Sequence, residues 1–185
     1  MAFNFSRLEI PEVILVEPTI FSDSRGYFLE QYRENQFATG GIQTKFVQDN
    51  LSRSVRGTLR GLHSQIKRPQ AKLVTCLRGE IFDVAVDLRP DSPSFGKWVA
   101  AILSGETKRQ LFIPEGFAHG FCVTSDVAEV YYKCSSYYSP EDECGVLWSD
   151  PDIGIQWPIS DPLLSEKDKK NLQLREVKAM WESRS

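Results

Sequence analysis

Alternating apolar and polar side chains mark the middle of the chain, most clearly over residues 80–88. Phe82, Val84, Val86 and Leu88 fall on one face, and Ile81, Asp83, Ala85 and Asp87 on the other. A period of two predicts a β-strand with one apolar face and one mixed face. Similar runs at 13–16, 45–50, 72–77, 97–103, 110–113, 118–124 and 128–134 predict further strands. Turn-forming clusters separate several of them: Arg78-Gly79, Arg89-Pro90-Asp91-Ser92-Pro93, Ser104-Gly105-Glu106 and Pro114-Glu115-Gly116. Many short strands at regular spacing predict a mainly β sandwich or barrel. The mixed second face favours a barrel whose interior is partly a ligand cavity.

Helical patterns are few. One short helix is predicted over 34–38 and another from about Ser165. There Leu164, Ser165 and Asp168 supply a hydrophobic staple residue, a serine N-cap and an acid three positions on. No repeat, low-complexity tract or shift in composition divides the chain, so residues 1–185 are expected to form one domain. The polar stretch 169–185 belongs to a short helical appendage expected from about residue 161.

Composition narrows the functional classes. A net charge of −3 argues against a broad basic surface for nucleic acid, so an anionic ligand would need a local cluster of Arg and Lys. No stretch approaches the ~18 apolar residues of a membrane span, and residues 1–7 do not resemble a signal peptide. The four cysteines, Cys76, Cys122, Cys134 and Cys144, show no CxxC spacing. They are expected to be buried thiols of a reduced, cytoplasmic protein.

The chain holds only two histidines, His63 and His119. That is too few for a three-histidine metal site, which favours acid–base chemistry over metal chemistry. Pro114-Glu115-Gly116-Phe117-Ala118-His119 resembles the second motif of the cupin barrels. In metal-binding cupins the first motif carries a second histidine where this chain has Gln65. A metal-dependent cupin therefore remains only as an alternative. Arg53, Arg56, Arg60 and Lys72 crowd the sequence around His63, and a cationic cluster there would keep the imidazole neutral, as a general base requires. Gln48-Asp49-Asn50 reads either as an Asx-type turn or as a polar wall. Tyr131, Tyr132, Tyr137 and Tyr138 supply phenols that could equally be packing residues.

Taken together, the motifs form a pattern. Residues 21–30 (Phe-Ser-Asp-Ser-Arg-Gly-Tyr-Phe-Leu-Glu), Phe46-Val47-Gln48-Asp49-Asn50 and Arg60-Gly61-Leu62-His63 resemble the dTDP-4-dehydrorhamnose 3,5-epimerase family. So do Lys72-Leu73-Val74, residues 79–89, residues 113–121, Tyr132-Lys133, Tyr137-Tyr138, Trp148-Ser149-Asp150-Pro151 and Leu164-Ser165-Glu166-Lys167-Asp168. The resemblance runs in order from about Ile10 to Asp168.

It implies a metal-free cupin jelly-roll barrel, normally a homodimer, that needs no cofactor. It also implies epimerisation at carbon 3 and carbon 5 of dTDP-4-keto-6-deoxy-D-glucose, giving dTDP-4-keto-L-rhamnose for deoxysugar and lipopolysaccharide synthesis. An epimerase acting at one carbon, or a catalytically silent sugar-nucleotide-binding cupin, are the alternatives. By the same resemblance His63 is the base, oriented by Asp168, although capping also accounts for Asp168. Lys72 stabilises the enolate oxygen, Tyr132 returns the proton, and Tyr138 stacks on thymine. Arg25, Glu30, Gln48, Asp49, Asn50, Arg60, His119, Glu143 and Lys167 match substrate-contacting positions, with Arg25 and Glu30 expected to reach across a dimer. Ser64 departs from the pattern by standing where the family usually has an aromatic residue.

Overall fold

The alternating segments pair into two facing antiparallel sheets in the computed structural model, which describes residues 2–183. The first sheet has the strand order β1-β2-β10-β7-β12-β5. Its strands are β1 (Phe3–Arg7), β2 (Ile14–Pro18), β5 (Gln48–Val55), β7 (Lys72–Arg78), β10 (Gln110–Ile113) and β12 (Val127–Cys134). The second runs β13-β6-β11-β8-β9. It contains β6 (Leu59–Gln65), β8 (Glu80–Asp87), β9 (Trp98–Ser104), β11 (Phe117–Val123) and β13 (Glu143–Gly145). A separate hairpin joins β3 (Ile20–Asp23) to β4 (Gly26–Leu29). This is the mainly β architecture that the pattern predicts, in the jelly-roll form that the resemblance implies.

The apolar core lies between the sheets at one end of the barrel. Val74, Cys76, Leu111, Ile113, Ala128 and Val130 from the first sheet meet Ile81, Ala85, Val99, Leu103, Phe117 and Phe121 from the second. Several strands also bury their outward faces, so the molecule is layered. On the second sheet Leu62, Val84, Val86 and Ala118 pack beneath Val146, Ile153 and the helix α2 (Leu174–Glu182). On the first, Ile14, Val16, Leu73 and Phe112 pack against Phe37 of the helix α1 (Glu34–Thr39). The mixed face of β8 is the one that looks into the barrel.

Several expectations need correction. The strand expected at 45–50 is instead β5, beginning at Gln48 and running on to Val55. Its polar even-numbered residues turn inward, so polarity does not end it. No helix starts at Ser165. Asp168 N–H does donate to Ser165 Oγ at 3.0 Å, but only a single 3-10 turn follows, Asp168–Lys170. The C-terminal region, expected as a short helical appendage, carries a helix that packs on the barrel: Leu174, Val177 and Trp181 are buried, and Asp150 Oδ2 accepts the Leu174 N–H at 2.8 Å. Residues 184 and 185 lie outside the described residues.

Candidate active site

Beyond the apolar core, the inward faces of the strands change character. Along β12 they pass from Ala128 and Val130 to Tyr132 and Cys134, and along β7 from Cys76 and Val74 to Lys72. Gln48 and Asn50 of β5 adjoin them, with Tyr132 in register with Asn50 and Cys134 in register with Gln48. His63 and Gln65 of β6 belong to the second sheet. Together with Ser64, Gln70, Tyr138 and Glu143 these side chains line a cavity of about 240 Å³.

His63 is held at the cavity by an unusually close approach of β6 to β11. A Cβ on Gly61, whose φ is +123°, would lie 2.5 Å from Gly120 Cα, so only glycine fits there. Asp168, 3% exposed, lies behind the imidazole with Oδ1 2.6 Å from Nε2. Burial works to raise the Asp168 pKa, but the hydrogen bonds from His63 and Ser165 and the charge of Lys167 outweigh it. The carboxyl therefore stays below the usual range and ionised. An ionised carboxylate only accepts, so the imidazole nitrogen facing Asp168 carries the proton and the other nitrogen is the basic one.

The remaining walls divide into charge and phenol. Burial lowers the pKa of the Lys72 ammonium, with Cys134, Asp83 and Glu143 acting the other way. Burial raises that of Tyr132, with Arg60 opposing, so its phenol keeps its proton. Glu143 Oε1 lies 3.9 Å from His63 Nε2, while its Oε2 accepts from Tyr138 and Lys167. The site thus sets a carboxylate-bound imidazole, an ammonium and a protonated phenol around one cavity. That set can remove a proton, stabilise the resulting oxyanion and return a proton.

Comparison with known proteins shows the family. The family model for dTDP-4-dehydrorhamnose 3,5-epimerase matches residues 7–176. The chain belongs to the dTDP-4-dehydrorhamnose 3,5-epimerase family. It is 55% identical over 167 residues to the dTDP-4-dehydrorhamnose 3,5-epimerase of Shigella flexneri, covering 89% of this chain and 92% of that one. The enzyme of the same name from Methanothermobacter thermautotrophicus is 51% identical, over 94% of this chain and 96% of the relative. Among solved structures, the Legionella pneumophila dTDP-6-deoxy-D-glucose-3,5-epimerase in complex with dTDP-4-keto-L-rhamnose superposes with a TM-score of 0.93. It shares 48% identity, covering 97% of this chain and 96% of that one.

In this member of the 3,5-epimerase family, the fold gathers most of the expected site residues and leaves others outside. His63, Lys72, Tyr132, Gln48, Asn50, Tyr138 and Glu143 line the cavity, with Asp168 and Lys167 each one hydrogen bond behind. Asp49 does not join them. Strand alternation turns it to the opposite face of β5, where it binds Lys133 Nζ at 2.9 Å and the Tyr131 hydroxyl at 2.8 Å. His119 does not line the cavity either: it is 5% exposed and donates Nε2–H to Asp83 at 2.6 Å. Arg60 is exposed and bonded to Ser54 Oγ, and the Arg25 and Glu30 side chains pair locally with Asp23 and Arg33.

The cationic cluster expected around His63 does not form. Arg56 pairs with Asp126 and Arg53 is exposed; of the four cations only Lys72 lines the cavity, and the carboxylates of Asp168 and Glu143 lie 2.6 and 3.9 Å from the imidazole. Gln65, Gln70 and Cys134 also line the cavity, beyond the site residues that the resemblance implies. Parity could have found them: each stands two residues from His63, Lys72 or Tyr132 on the same strand or its extension. Ser64 keeps its strand pairing, with its hydroxyl donating to Cys144 O at 3.0 Å.

Proposed function

We infer that this chain epimerises dTDP-4-keto-6-deoxy-D-glucose at carbon 3 and carbon 5 to give dTDP-4-keto-L-rhamnose. One observation carries the residue roles: a carboxylate-bound imidazole shares a single cavity with an ammonium and a protonated phenol. Both carbons flank the 4-keto group, which acidifies their protons. His63 removes the proton, and Asp168 orients the ring and balances the imidazolium that forms. Lys72 stabilises the enolate oxygen. Tyr132 returns a proton to the opposite face, which is how configuration inverts. Each inversion leaves His63 protonated and Tyr132 deprotonated, so both exchange protons with solvent before the second carbon reacts.

Tyr138, 49% exposed and tethered through its hydroxyl to Glu143, forms the nucleotide end of the site. Tyr138→Ala should weaken dTDP binding by about 1–3 kcal/mol, the worth of an aromatic–base stack, as measured by calorimetry. An unchanged dissociation constant would remove the stack. The β3–β4 hairpin, with Phe21, Tyr27 and Phe28 all exposed, supports a homodimer in which Arg25 and Glu30 reach the partner's site. The four cysteines are buried and unpaired, which suits a reducing compartment such as the cytoplasm. Among the described residues no helix is long and apolar enough to cross a membrane.

Incubating the keto sugar with enzyme in deuterated water tests the double epimerisation. Deuterium should enter at both carbon 3 and carbon 5 and be read by proton NMR. Incorporation at carbon 3 alone would mark a single-site epimerase instead.

A further inference from the structure

Tyr138 sits in a segment without regular secondary structure, and with the residue half exposed, side-chain packing alone does not fix it. Its backbone is held by amides instead. The Tyr138 N–H donates to Gln48 Oε1 at 2.9 Å. The two flanking peptide groups go to one side chain, Gln65: Nε2 donates to Tyr137 O at 3.3 Å, and Oε1 accepts the Ser139 N–H at 2.8 Å. Gln65 Nε2 also donates to Arg68 O at 2.7 Å. Gln65 is 3% exposed and follows His63 by two residues on the same face of β6.

We propose that Gln65 is a positioning residue for nucleotide binding, acting through Tyr138, whose two flanking peptide groups it clamps. This rests on Tyr138 being the nucleotide-stacking residue. A primary amide suits the task because it presents one donor end and one acceptor end on a short rigid plane. Those ends meet the carbonyl before Tyr138 and the N–H after it. Glutamate would keep the Ser139 bond but set an acceptor against the carbonyls of Tyr137 and Arg68. Methionine would fill the volume and make none of these bonds. A stacking ring set before the ligand arrives need not be ordered on binding, so loosening the clamp weakens affinity rather than chemistry.

The test is a double-mutant cycle read by dTDP titration calorimetry and by steady-state kinetics. Gln65→Met and Gln65→Glu should each raise the dTDP dissociation constant about threefold to tenfold, the range for losing one or two buried hydrogen bonds. KM should rise while kcat changes much less, as expected when uniform binding is lost. In a Tyr138→Ala background the same Gln65 substitutions should change affinity by less than about twofold, because their route to the ligand is gone. A merely structural role would instead lower kcat and melting temperature together and persist in that background. Weaker binding in Tyr138→Ala with unchanged binding in both Gln65 variants overturns the clamp alone. Unchanged binding in Tyr138→Ala overturns the stack, and the clamp with it.

Discussion

His63→Ala should abolish solvent exchange at the carbons flanking the ketone while leaving dTDP affinity within about twofold of the parent. The loss in kcat should be about 10²- to 10⁴-fold, the usual worth of a positioned general base. Two structural facts keep the substitution clean. The imidazole is 32% exposed, so its removal opens no sealed cavity in the core. Asp168 also retains the Ser165 hydroxyl at 2.8 Å and is not left wholly unpaired. Because the pair acts as a unit, adding Asp168→Asn to His63→Ala should cost little more, whereas Asp168→Asn alone should lose most of the activity. Deuterium wash-in by NMR and dTDP titration measure the two halves separately. Exchange persisting at the parental rate in His63→Ala would take His63 out of the mechanism.

The parts of this fold that were legible in the chain are those where one strand face meets a core. The alternation over 80–88 corresponds to β8 because both of its faces are buried against different layers. The β3–β4 hairpin was invisible to that logic, since its residues are nearly all exposed and nothing selects a buried face. The bounds and the buried face of the helix α2, within the expected helical appendage, were hidden by charge: its buried residues keep helical spacing at 174, 177 and 181, but the stretch around them is polar. β13 is only three residues long and is set by pairing with β6, a contact spanning 80 residues from Ser64 to Cys144.

The site follows the same division. His63 and Asp168 are 105 residues apart, so only the resemblance to a family, and no local pattern, could join them before the fold was known. The arginines around His63 misled because closeness along a chain is not closeness in space. Successive residues of a strand face opposite ways, and Arg53 and Arg60 lie on strands of different sheets. The same parity, applied to Gln48-Asp49-Asn50, would have excluded Asp49.

Lys72→Met should separate function from stability in opposite directions. Methionine keeps most of the length and apolar volume of lysine and removes the charge. If Lys72 holds the enolate oxygen, losing it should lower kcat about 10²- to 10³-fold, as for other oxyanion contacts. The fold, however, pushes the ammonium's pKa down by burial, despite the opposing carboxylates of Asp83 and Glu143. A lysine whose folded pKa lies below its unfolded value binds fewer protons in the native state. Stability is therefore penalised at neutral pH, and the penalty fades as pH rises from the folded pKa towards the unfolded one. Removing the group should then raise the melting temperature at pH 7, by about 2–4 °C for each kcal/mol relieved in a chain of this size, with the gain shrinking in alkaline buffer. Calorimetric scans across pH and steady-state kinetics on the same protein make the comparison. Full activity in Lys72→Met would remove the oxyanion role. A fall in both activity and melting temperature would mean the ammonium is held for structure, not chemistry.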